Sequence, residues 1–190
     1  MTRRQAELFD QLVALFLAEG FQHLTVDALA ARLHCSKTTL YALGETRDEL
    51  VRRVVVEFFR GATERVEARI AGVGDGGMGG PGARLTTYLR AVADELRPAS
   101  ATFVDDLAAS PVARELYRRN TALAARRVEL LVAEGVEAGA FRPVHAGFVA
   151  DVLAATMERI QRREVAAATG LADAEAYTEL AALVTRGLTG

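Results

Sequence analysis

One cysteine, one lysine, four prolines and no tryptophan stand among 190 residues, and several of these scarcities exclude something. The lone Cys35 rules out an internal disulfide. His23, His34 and His145 lie far apart, without metal-ligand spacing and with no acid set beside them by sequence. Neither a metal centre nor a catalytic constellation is predicted, and no cofactor. No apolar run reaches transmembrane length, and Met-Thr-Arg-Arg-Gln lacks the apolar core of a signal peptide. These features predict a cytoplasmic protein with no membrane partner. Strand-like alternation is rare, which leaves helix. A net charge of −2 is no general attraction to nucleic acid, although it says little about any one face.

What is present is Ala, Leu, Arg, Glu and Val in apolar runs of helical period. A first helix is predicted over 4–19, with Leu8, Leu12, Leu15 and Phe16 inward and Gly20 ending it. Arg3 and Arg4, the lead-in to it, read either as a basic arm or as a frayed terminus. Thr25 then starts a second helix on Val26, Leu29, Ala30 and Leu33, with Asp27 in its first turn. That helix should stop near Leu33–His34, where His34 takes a positive φ that Gly usually takes. Ser36 is a natural N-cap for a third helix over 37–43, anchored by Leu40. This leaves Lys37, the only lysine, with Thr38, Thr39 and Tyr41 near the exposed side. Backbone N–H groups, an ammonium and short hydroxyls suit phosphates and base edges. Cys35 reads as buried support for this helix, or less simply as a thiol switch at its N-terminus.

A long fourth helix is predicted over 47–71. The Gly-dense stretch 72–82 follows. A phosphate-binding loop would need Lys-Ser/Thr after the glycines, and Pro81-Gly82-Ala83-Arg84 supplies neither, so a flexible connection is predicted. Further helices are expected over 83–96, 100–109, 112–138, 145–169 and 173–188, punctuated by Pro98, Pro111 and Pro143.

In order and spacing, four segments resemble the DNA-binding domain of the TetR/AcrR family of bacterial transcription regulators. They are Leu17-Ala18-Glu19-Gly20-Phe21, Thr25-Val26-Asp27-Ala28-Leu29-Ala30, Ser36-Lys37-Thr38-Thr39-Leu40-Tyr41 and Asp48-Glu49-Leu50. The family usually continues Tyr-x-His-Phe, whereas this chain reads Tyr41-Ala42-Leu43-Gly44. That departure predicts weaker phosphate contact and a looser junction into the fourth helix.

The resemblance implies an all-α protein. A three-helix helix-turn-helix DNA-binding domain would span 1–46, and a helical effector-binding and dimerisation domain 47–190. It implies a homodimer on a double-stranded, palindromic operator, released by a small-molecule effector, and not an enzyme. Candidate DNA contacts are Thr25, Ser36, Lys37, Thr38, Thr39, Tyr41 and Arg47. Candidate effector contacts are Phe59, Tyr88, Phe103, Asp106, Leu107, Tyr117, Phe148 and Met157, each with core packing as the plainer reading. Asp106, beside Asp105, would meet a cationic ligand, a neighbouring Arg or water. Val152, Thr156, Ile160, Tyr177, Leu180 and Val184 are candidates for the dimer interface, or else face the protomer's own core. The alternative is a helical dimer that has lost specific DNA binding and acts through a protein partner.

Overall fold

The computed structural model describes residues 2–74 and 80–189, and among these it contains α-helices and no strand. The helices are α1 (Arg3–Glu19), α2 (Val26–Arg32), α3 (Lys37–Tyr41), α4 (Arg47–Ala71) and α5 (Pro81–Leu96). They continue as α6 (Ala101–Ala109), α7 (Pro111–Glu137), α8 (Ala146–Gln161), α9 (Glu164–Thr169) and α10 (Asp173–Thr189). The centre of the Gly-dense connection, 75–79, lies outside the described residues, and the flexibility expected of it lies there too.

Hydroxyl caps set most starts. Thr2 forms a capping box with Gln5, and Thr25, Ser36 and Ser100 each accept a backbone N–H three residues on. Arg3 and Arg4 therefore sit in a capped first turn, with Arg3 paired to Glu7 at 3.0 Å, so they are not an extended arm. His34 takes φ 49°, as the end of α2 requires. The single helix expected over 145–169 is two. Arg163 has φ 61°, which breaks the chain between α8 and α9, and its guanidinium reaches Asp173 at the start of α10.

The chain forms two compact units. One comprises Met1–Gly61 with Pro98–Tyr117, the other Ala62–Arg97 with Arg118–Gly190. In the first, α1 to α3 share a core with the start of α4 and with α6. A run of rings passes through it: Phe16 to Phe21 at 5.5 Å, Phe21 to Phe103 at 6.0 Å and Phe103 to Phe58 at 5.7 Å. Phe58 to Phe59 and Phe59 to Tyr117 complete it, each at 5.2 Å. The second unit has a mainly aliphatic core, joined by Tyr88, Phe141 and Tyr177, in which α10 packs against α5, with Leu85, Leu131, Val132, Leu153 and Leu180 among its buried residues.

Candidate nucleic-acid interface

Two short helices and a tight turn build the surface. Cys35 N–H donates to Ala30 O at 3.0 Å, closing the turn that His34 opens. Ser36 Oγ accepts from Thr39 N at 3.1 Å and lies 2.8 Å from Thr39 Oγ1. Leu40, fully buried, fixes the roll of α3, so Ser36, Lys37, Thr38 and Tyr41 are exposed while Thr39 is half-buried with its hydroxyl engaged. Thr25 is exposed, with its hydroxyl capping Ala28 N at 3.1 Å. Lys37 Nζ lies 2.5 Å from Asp27 Oδ1 on α2, and that hydrogen bond and charge hold its ammonium above the ordinary lysine range. Cys35 is half-buried, and burial pushes its thiol up, away from the thiolate that a switch would use.

Arg47 is not available to DNA in the way the sequence suggested. Its guanidinium donates to the backbone carbonyls of Phe21 at 2.6 Å, Gln22 at 2.9 Å and Leu24 at 3.2 Å. It clamps the α1–α2 connection, a role that the planar fork of arginine suits. The junction after Tyr41 is also not loose. Leu43 is buried at 1 % exposure, its carbonyl accepts from Arg53, and a Cβ on Gly44 would stand 3.0 Å from the backbone nitrogen of Leu50. Leu43 and Gly44 let the chain pass close to α4 without an aromatic wedge.

Asp106 is a structural group as well. Its Oδ2 accepts from Phe21 N at 2.5 Å and Gln22 N at 2.8 Å, tying the α1–α2 connection to α6. Ser100 N donates to Leu17 O at 2.8 Å beside it. Gly20 makes room: its φ is 82°, and a Cβ would lie 2.5 Å from Asp106 Oδ2 and 2.7 Å from Thr102 Cγ2. With both N–H groups on one oxygen, Asp106 is not the ligand carboxylate that its apolar helix suggested.

The other candidate effector residues divide between the two units. Phe59, Phe103 and Tyr117 are members of the ring run, and Leu107 is buried in the same unit. These four are core. Tyr88 and Met157 are buried in the second unit, with Tyr88 OH donating to Ala124 O at 3.4 Å and burial raising its pKa. Phe148 is 67 % exposed on α8, so it lines no interior site. A cleft of about 390 Å³ between α1 and α4 is lined by Phe9, Asp10, Arg52, Arg53, Val56, Glu57 and Arg60, none of them predicted.

The dimer candidates separate similarly. Ile160, Tyr177 and Leu180 are buried in the protomer's own core, which removes them from any partner. Val152 is exposed, Thr156 is half-buried with its hydroxyl donating to Val152 O at 2.9 Å, and Val184 is half-buried. Leu183, 72 % exposed on α10, was not among the sequence candidates. Sequence reasoning also missed the pairing of Asp27 with Lys37.

Among the described residues there is no group of three or more His, Cys, Asp or Glu placed to hold a metal ion. None of the described helices is long and apolar enough to cross a membrane.

Neither a protein-family model nor a curated protein matches the sequence. Solved structures do match the fold over nearly its whole length. One is a transcriptional regulator of the TetR/AcrR family from Thermobifida fusca, 21 % identical, covering 98 % of both chains with a TM-score of 0.68. Another is a TetR transcription regulator from Haloarcula marismortui, 15 % identical over the whole of both chains, with a TM-score of 0.76. A third is AibR, solved with isovaleryl coenzyme A and operator DNA, 14 % identical over 95 % of this chain and 97 % of its own, with a TM-score of 0.62. The chain has the all-α fold of TetR/AcrR transcriptional regulators, with an N-terminal helix-turn-helix.

Proposed function

We propose that this chain is a DNA-binding transcriptional regulator, acting as a repressor, that reads a roughly palindromic operator as a homodimer and leaves it when a small molecule binds. The observation that carries the proposal is the capped helix-turn-helix, with Ser36, Lys37, Thr38 and Tyr41 exposed above the buried Leu40. Thr25 lies at the start of the helix before it and belongs to the same proposed contact set, as does Thr39. Arg47 does not. Two such heads would enter successive major grooves about 34 Å apart. For the dimer, Phe148, Val152 and Leu183 supply exposed apolar surface on α8 and α10, two helices that pack together, with Thr156 and Val184 beside them. A small-molecule effector is supported by AibR, whose structure holds both isovaleryl coenzyme A and operator DNA. Of the residues expected to meet it, Tyr88 and Met157 stay with this reading. An effector that releases DNA binds the DNA-incompetent state better, and DNA weakens the effector by the same factor.

Selection of bound DNA from a random or genomic pool tests this. A recovered palindrome with half-sites about one helical turn apart is the expected result. Weak binding that vanishes as salt rises, with no sequence recovered, would favour a helical dimer that acts through a protein partner.

A further inference from the structure

The reading head carries little free positive charge. Residues 2–46 contain four cations (Arg3, Arg4, Arg32 and Lys37) against five carboxylates (Glu7, Asp10, Glu19, Asp27 and Glu45). Three of the four cations are already in ion pairs: Arg3 with Glu7, Arg32 with Glu19 and Lys37 with Asp27. Just beyond, Arg47 serves three carbonyls, Arg53 donates to Leu43 O and Arg60 pairs with Glu57, while Arg52 is exposed on α4. Sequence-independent binding depends on cations that replace counterions at phosphates, so this head is poorly supplied with it.

We propose that Asp27 is a specificity-determining residue: it holds Lys37 back from phosphates, so that duplexes lacking the operator sequence are bound weakly. The proposal rests on the DNA-reading function argued above. Both side chains are more than half exposed, at 54 % for Lys37 and 73 % for Asp27, so the pair contributes little to stability. Its effect is on what Lys37 can reach. A phosphate that approaches Lys37 must compete with a carboxylate 2.5 Å from Nζ, and then tolerate that carboxylate nearby. On an operator, contacts from Thr38 and Tyr41 to base edges outweigh this opposition. On other sequences nothing does. Asp27 therefore lowers non-specific affinity more than operator affinity, and widens the ratio on which target finding depends.

Wild type, Asp27→Asn, Lys37→Ala and the double variant are titrated with the recovered operator and with a random-sequence duplex over a salt series. Asp27→Asn should tighten the random duplex roughly eightfold near 0.1 M salt and steepen its log–log salt slope by about 0.9, as one added phosphate contact does. The operator should gain less, so the specificity ratio narrows. In the Lys37→Ala background the same change should leave the slope unaltered. If wild type binds its operator and Asp27→Asn changes neither slope nor ratio, Asp27 does not mask Lys37, while the DNA-reading function stands. Binding by Asp27→Asn where wild type binds no duplex supports masking. No binding by either overturns both. Asp27→Ser, read the same way, replaces Asp27→Asn if thermal melts show that variant unfolded.

Discussion

Lys37 and Tyr41 are separated by one helical turn and share an exposed surface, yet their replacements should read out differently. Lys37→Ala should weaken operator binding and flatten its salt slope by about one unit if the ammonium meets an operator phosphate, with little change on a random duplex, from which Asp27 holds it back. If it reads a base, specificity should relax at one operator position instead. Tyr41→Phe removes one hydroxyl from a side chain 43 % exposed, so affinity should fall while the melting temperature holds. Unchanged DNA affinity in both variants would sink the proposed surface. Gly20 answers to a different constraint. A side chain there meets Asp106 and Thr102 at a φ that L-residues avoid, so Gly20→Ala should lower unfolding free energy by about 3 kcal/mol, seen as a shifted denaturant midpoint.

At the scale of elements, the question is what holds the helix-turn-helix in register with its neighbours. Arg47 at the head of α4 gathers three carbonyls from the α1–α2 connection. Arg47→Lys keeps the charge and loses the fork. It should destabilise by about 2 kcal/mol in denaturant melts, whereas a phosphate contact would survive the exchange with stability unchanged. Asp106→Ala leaves two backbone N–H groups without their carboxylate, and about 3 kcal/mol should go with them. The helices themselves were legible, because Thr25, Ser36, Gly20 and the Leu8–Leu12–Phe16 stripe act within one or two turns. The break at Arg163 was not, since no Gly or Pro marks it and its guanidinium partner Asp173 lies beyond α9. Exposed polar residues of α3 could be placed by the position of Leu40 alone. Arg47 and Asp106 were misplaced because their partners are 23 to 26 and 84 to 85 residues away, and long-range hydrogen bonds leave no periodic trace.

For the whole molecule, the apolar residues of α8 and α10 divide between the core and the surface. Period alone does not make that division: Ile160 and Leu180 face inward, Phe148 and Leu183 outward. Phe148→Asp with Leu183→Asp should give a folded monomer by sedimentation, with operator affinity lost because one head presents too few contacts. A persistent dimer would place the interface elsewhere. Finally, the unit that carries the helix-turn-helix is not a continuous stretch of sequence, for it needs Pro98–Tyr117 as well as Met1–Gly61. A fragment cut at 46 or at 61 loses Phe103, against which Phe21 and Phe58 rest, and the carboxylate that receives Phe21 and Gln22. The module is therefore not portable: an N-terminal segment spliced onto another chain would set its Phe21 and Phe58 against a different α6. Under the proposed function, changing what this head reads means repainting α3 in place.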